Sequence, residues 1–167
     1  LGAAVALQWA GIDPRVKAVV AVAPFAELSS EMQFFYETHH VSLLQRFLIE
    51  AAAQREGRFQ ISEVSPLEAV ENIDTPILLA HGRQDDIVPI TESLRLFHAA
   101  RGPVALEEVD GKHMNIREVL GKPFLKRAIE WMDTYVAVNA HPQSPPAWVA
   151  GLPRRPFPGT EIVTSVK

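Results

Sequence analysis

The 167-residue chain contains no cysteine, which removes disulfides, thiolate metal sites and a thiol nucleophile from within it. No apolar run approaches the roughly 20 residues that a membrane-spanning helix needs, so no membrane span is expected. Lysine and arginine never gather into a block and the formal net charge is −4, leaving nothing to attract nucleic acid or an anionic surface. Nucleic acid is therefore not an expected partner. An initiator methionine, a charged leader and a helix N-cap are all missing before Leu1, and the chain enters at once into a run of small and apolar residues. It reads as a piece of a longer domain. There is no internal repeat.

What is present is enough for one core: 47% of the residues are hydrophobic and 22% charged. Leu1 to Ala10 has the composition of a helix, with Gly11 as its stop. Val16 to Ala23 is valine-rich and ends at Pro24, the pattern of a strand covered on both faces. Pro24 to Ser62 carries Phe25, Phe34, Phe35, Tyr36 and Phe47, and Ser42 with Gln45 forms a capping box for a helix to about Gln54. Ser65-Pro66-Leu67-Glu68 supplies an N-cap, a proline at N1 and a glutamate at N3 for a short helix to Ile73. Ile77 to His81 then reads as a strand, Thr91 as the cap of a helix running to Gly102, and Val104 to Val109 as the next strand. The final helix begins at about Ile116 or Pro123 and runs to Val138, with Leu125, Ile129, Met132 and Val136 as the stripe expected to face the sheet. His141 to Lys167 holds six of the 13 prolines and reads as an extended tail.

The chemistry gathers where strands end. His81-Gly82-Arg83-Gln84-Asp85-Asp86-Ile87-Val88-Pro89 follows an apolar strand, and Asp110-Gly111-Lys112-His113 follows the next one. Parallel sheets keep their reactive groups at this edge. An acid and then a histidine, in that order, form the back half of a nucleophile, histidine and acid arrangement.

Together these residues resemble the C-terminal half of an α/β-hydrolase, of the esterase and prolyl-oligopeptidase-like branches. Leu1-Gly2-Ala3-Ala4-Val5-Ala6-Leu7 is similar to the segment just after the nucleophile of that family's G-x-S-x-G elbow, and Asp85-x-x-Val88-Pro89 to its acid loop. Gly111-Lys112-His113 resembles its histidine loop. The resemblance spans residues 1–138 and implies a partial α/β-hydrolase domain: a parallel sheet flanked by helices, with a helical lid insertion at about 24–64. Residues 139–167, the proline-rich C-terminal tail, lie outside it.

The resemblance further implies a serine hydrolase that cleaves esters, with peptide or amide bonds as the alternative, through an acyl-enzyme. Asp85 and His113 would be the catalytic acid and base, with Asp86 solvated, and the backbone N–H of Leu1 one donor of the oxyanion hole. The nucleophile would precede Leu1, so this chain alone is expected to be inactive. Its partners would be a small ester or peptide substrate and the N-terminal half of the same domain. Phe25 and Phe35 are candidates for an apolar substrate pocket, weighed evenly against a role in holding the lid helices together. His39 and His40 have no acid-histidine set around them, His81 reads as a structural hydrogen-bonder, and His98 and His141 stand alone; no metal and no cofactor is expected. Two other readings stay open: a non-catalytic binding module on the same fold, and an aspartate or cysteine nucleophile, as in dehalogenases or dienelactone hydrolases.

Overall fold

The computed structural model describes residues 1–136 and 146–152. Three parallel strands, β1 (Val19–Val22), β2 (Ile77–Gly82) and β3 (Val104–Val109), form one sheet in the order β1-β2-β3. All six residues of β2 are buried, as expected of a central strand with helices on both faces.

Alternation along the strands sorts the core into two layers. On one face Val19, Ala21, Ile77, Leu79, Val104 and Leu106 pack with Leu7 of α1 (Gly2–Ile12), Val70 of α4 (Pro66–Asn72) and Leu96 of α5 (Ile90–Ala99). On the other, Ala18, Leu78, Ala80 and Ala105 meet Leu120, Phe124 and Trp131 of α6 (Ile116–Val136). Between β1 and β2 the chain makes α2 (Leu28–Thr38) and α3 (Leu43–Gly57), then a short 3-10 turn and α4. The Ser42 N–H donates to Gln45 Oε1 at 3.0 Å, and the Glu68 N–H donates to Ser65 Oγ at 3.1 Å behind Pro66 at N1.

Several local expectations are corrected. Gly11 lies inside α1 and does not end it; a methyl there would stand 3.0 Å from Ala69 Cβ, so this glycine serves close packing of α1 on α4. The cap of α5 is Pro89 and not Thr91, because the φ of −59° fixed by the proline ring leads straight into the helix at Ile90.

The face of α6 is also different. Leu125, Ile129, Met132 and Val136 are exposed, and the buried stripe is Leu120, Phe124 and Trp131, with Ala128 and Tyr135 packed beside it. The helix kinks at Gly121, whose φ of +54° breaks the helical run ahead of Pro123 and resets which face meets the sheet. Two large rings then bury more area than the aliphatic stripe offers. Arg127, on the same helix, is ion-paired with the buried Glu107 of β3.

Of the region expected to be an extended tail, residues 146–152 fold back as a 3-10 turn, Ala147–Gly151, whose Val149 is buried in the α6 layer. The rest of 139–167 lies outside the described residues.

Candidate active site

Strands β2 and β3 are paired in register, with Gly82 opposite Val109, so the loops that follow them start side by side. They are then joined: the Arg83 N–H donates to Val109 O at 2.8 Å and the Gln84 N–H to Gly111 O at 3.1 Å. Asp85 and His113 are thereby brought together. The His113 Nδ1–H donates to Asp85 Oδ2 at 2.8 Å. A carboxylate oxygen only accepts, so Nδ1 carries the hydrogen and Nε2 is left as the proton acceptor.

The other carboxylate oxygen is held locally. Asp85 Oδ1 accepts the N–H of Ile87 at 3.0 Å and of Val88 at 2.9 Å, closing a turn around the acid. The Asp85 side chain is wholly buried, whereas that of His113 is 30% exposed. The acid is screened from water while the base reaches it. Asp86 is different: it is exposed and lies 3.5 Å from Lys112 Nζ. Asp85, and not its neighbour, meets the histidine.

The start of α1 belongs to the same neighbourhood. Ala4 in its first turn packs with Phe25, just beyond β1, and with Val88 of the acid loop in one small buried cluster. Leu1 is exposed at the N-cap of α1. The aromatic residues of the 24–64 region do not form a single group: Phe25 and Tyr36 are buried, while Phe35 and Phe47 are exposed and Phe35 leans on the His39 ring at 4.4 Å.

Two acids at the site escaped sequence reading. Glu92 of α5 is buried, and its Oε2 accepts the Ala26 N–H at 2.9 Å and the Ser30 hydroxyl at 2.9 Å. Arg95 bridges Glu92 to Glu27, so the start of α2 is tied to α5 beside the acid loop. Glu31, one residue past Ser30, has a buried Oε2 with no hydrogen-bond partner among the described residues. Its carboxyl is pushed up from 4.5 to about 7, first by burial and then by the charges of Glu92 and Asp85, while His113 pulls it back. Glu31 thus lies within electrostatic reach of both Asp85 and His113. Only tertiary placement shows this, because an acid in the first turn of a helix is otherwise an ordinary surface choice.

Among the described residues no cluster of three or more histidine, cysteine, aspartate or glutamate side chains is arranged to hold a metal ion. No helix among them is long and apolar enough to cross a membrane.

The chain is 31% identical over 112 residues to the YqkD protein of Bacillus subtilis (strain 168), covering 64% of this chain and 36% of that protein. Its fold is similar to that of an acetyl xylan esterase from Paenibacillus sp. R4, with a TM-score of 0.58 at 21% identity, covering 80% of this chain and 42% of the esterase. It is likewise similar to the esterase domain of a Rhodothermus marinus protein, with a TM-score of 0.57 at 21% identity, covering 81% of this chain and 59% of that domain. The chain therefore spans between about a third and three-fifths of these three proteins, and the fold is that of an α/β-hydrolase. Residues 2–118, from the first turn of α1 to the first turn of α6, match the prolyl oligopeptidase family, and this chain belongs to that family of hydrolases.

Proposed function

We propose that the protein is a serine hydrolase that cleaves carboxylic esters, with peptide or amide bonds as the alternative substrate class, through an acyl-enzyme. The observation that carries this reading is the 2.8 Å bond between His113 Nδ1 and the buried Asp85 carboxylate, with His113 Nε2 free to take a proton. The nucleophile is assigned to the position before Leu1, and the Leu1 N–H to the oxyanion hole, because the first turn of α1 packs on the acid loop through Ala4 and Val88.

In this mechanism His113 Nε2 accepts the hydroxyl proton as the serine oxygen bonds to the acyl carbon. The carbonyl π-electrons move onto the oxygen facing Leu1 N–H. Asp85 holds the imidazole and stabilises the imidazolium that forms. His113 then returns the proton to the leaving group as the ester bond breaks, and water repeats the sequence to release the acid. Phe25, buried against Ala4 and Val88, is proposed as the apolar floor beneath the acyl group, and Phe35 as a contact at the rim.

The test is hydrolysis of p-nitrophenyl acetate, and labelling by a serine-directed fluorophosphonate, in the protein with its upstream residues present. Activity and labelling should appear there, be absent from the 167-residue chain, and fall by orders of magnitude with His113→Ala or Asp85→Asn. Turnover indifferent to both substitutions would refute the assignment. Reaction without fluorophosphonate labelling would point to aspartate or cysteine as nucleophile.

A further inference from the structure

A second histidine stands beside the acid, and the mechanism above makes no use of it. His81, the penultimate residue of β2, is wholly buried, with Nε2 2.9 Å from Val88 O and 3.4 Å from Asp85 Oδ2. A carbonyl oxygen only accepts, so Nε2 carries a hydrogen. Nδ1 lies 2.6 Å from Ser93 Oγ in α5, and Ser93 is wholly buried as well. Burial, the largest influence, depresses the proton affinity of His81 below the usual histidine range and keeps the ring neutral. Nδ1 is therefore bare and accepts from the serine hydroxyl.

The bonds converge on the Asp85 carboxylate from both sides. Ser93 donates to His81, His81 donates to Val88 O, the Val88 N–H donates to Asp85 Oδ1, and Asp85 Oδ2 receives His113. Val88 is held on both sides of its Cα, its C=O by His81 and its N–H by Asp85, and that N–H is one of the two that set how the carboxylate is turned. If packing alone mattered, two apolar residues would fill this space at no desolvation cost. The polar pair supplies something packing cannot: a donor for Val88 O with its tautomer fixed.

We infer that His81, its tautomer set by Val88 O and its ring held by Ser93, is a positioning residue that aims the Asp85 carboxylate at His113. The inference rests on the proposed reading of Asp85 and His113 as acid and base. The geometric relation it describes can be measured without turnover.

The experiment follows the His113 Nδ1–H proton by NMR in 15N-histidine-labelled protein with its upstream residues present, alongside steady-state hydrolysis of p-nitrophenyl acetate. Ser93→Ala, His81→Leu and His81→Gln are compared with the wild type, with folding checked by thermal melts. Ser93→Ala and His81→Leu should broaden or displace the His113 line and lower kcat about 10- to 100-fold, with KM within about twofold, as a misaimed base predicts. Glutamine, which can still donate to Val88 O, should recover part of both. An unchanged His113 line in folded Ser93→Ala and His81→Leu proteins overturns the inference. So does a glutamine variant no better than leucine. Should the variants not fold, the wild type still decides: the 15N shifts of His81 must show hydrogen on Nε2 alone, and hydrogen on Nδ1 overturns it. A His113 line that responds as described, in a protein whose hydrolysis ignores Asp85→Asn, would leave the positioning relation standing and sink the catalytic reading.

Discussion

A methyl group on Gly82 would stand 2.2 Å from the carbonyl oxygen of Gly111, so at the mouth of the site backbone meets backbone with no room for any side chain. These two glycines seat the acid loop against the histidine loop. Gly82→Ala should therefore cost about 2–4 kcal/mol by overpacking and push the loops apart. Urea denaturation would give the stability loss, and the NMR line of the His113 Nδ1–H should weaken in the fraction that folds. A variant as stable as the wild type would show that the loops can separate without strain.

Glu31 gives a pH dependence of known sign. Its carboxyl holds a proton up to about 7 in the folded chain, against an ordinary value of 4.5, chiefly through burial. This favours the fold below the ordinary value, and the contribution is lost as pH rises from about 4.5 through about 7. Glu31→Gln should accordingly gain roughly 1–2 kcal/mol over the wild type at about pH 8, after discounting for partial exposure, and nothing at about pH 4. Urea titrations at both pH values test it; equal differences at the two would remove the electrostatic account.

Glu92 should behave as a clamp. Removing its carboxylate leaves the wholly buried Ala26 N–H without an acceptor and frees Arg95 from one of its two carboxylate partners. Glu92→Ala is expected to cost about 3–5 kcal/mol, the usual penalty for breaking a buried charged network, and Glu92→Gln markedly less because an oxygen remains for Ala26. Hydrogen exchange should quicken in α2 first. Uniform acceleration across the sheet would argue against a local clamp.

The two faces of α6 make a matched pair of mutants. Trp131 is fully buried, so Trp131→Ala should cost about 3–5 kcal/mol, whereas Leu125→Ala, at 59% exposure, should stay within about 0.5 kcal/mol. Thermal melts of the two proteins decide it.

The strands, their parallel order and the pairing of Asp85 with His113 were legible because each depends on short patterns: apolar runs, strand-end loops and a spacing that separates Asp85 from Asp86. The outward face of α6 was misread because a stripe of Leu125, Ile129, Met132 and Val136 is a sound local signal that Gly121 overrides by reorienting the helix. Residues 146–152 were missed because a proline-rich composition carries no sign that Val149 and Trp148 will find Trp131. Glu31, Glu92 and Ser93 act across long stretches of chain, and no local pattern marks residues whose role is set by a distant partner. α3 shows the same limit in reverse. Arg46 turns inward over Tyr36 while Leu43, Leu44, Phe47 and Leu48 face outward, which inverts the polarity that an amphipathic reading assumes.

The register of β2 and β3 has one more effect. Gly82 and Val109 are neighbours across a single strand spacing of about 4.8 Å, so the separation of acid and base is inherited from the sheet and owes little to the loops' lengths. The proton path is thus gauged by the most rigid part of the molecule. Helices α2 and α3 lie between β1 and β2 in the chain, outside the β2–β3 pairing that sets this gauge.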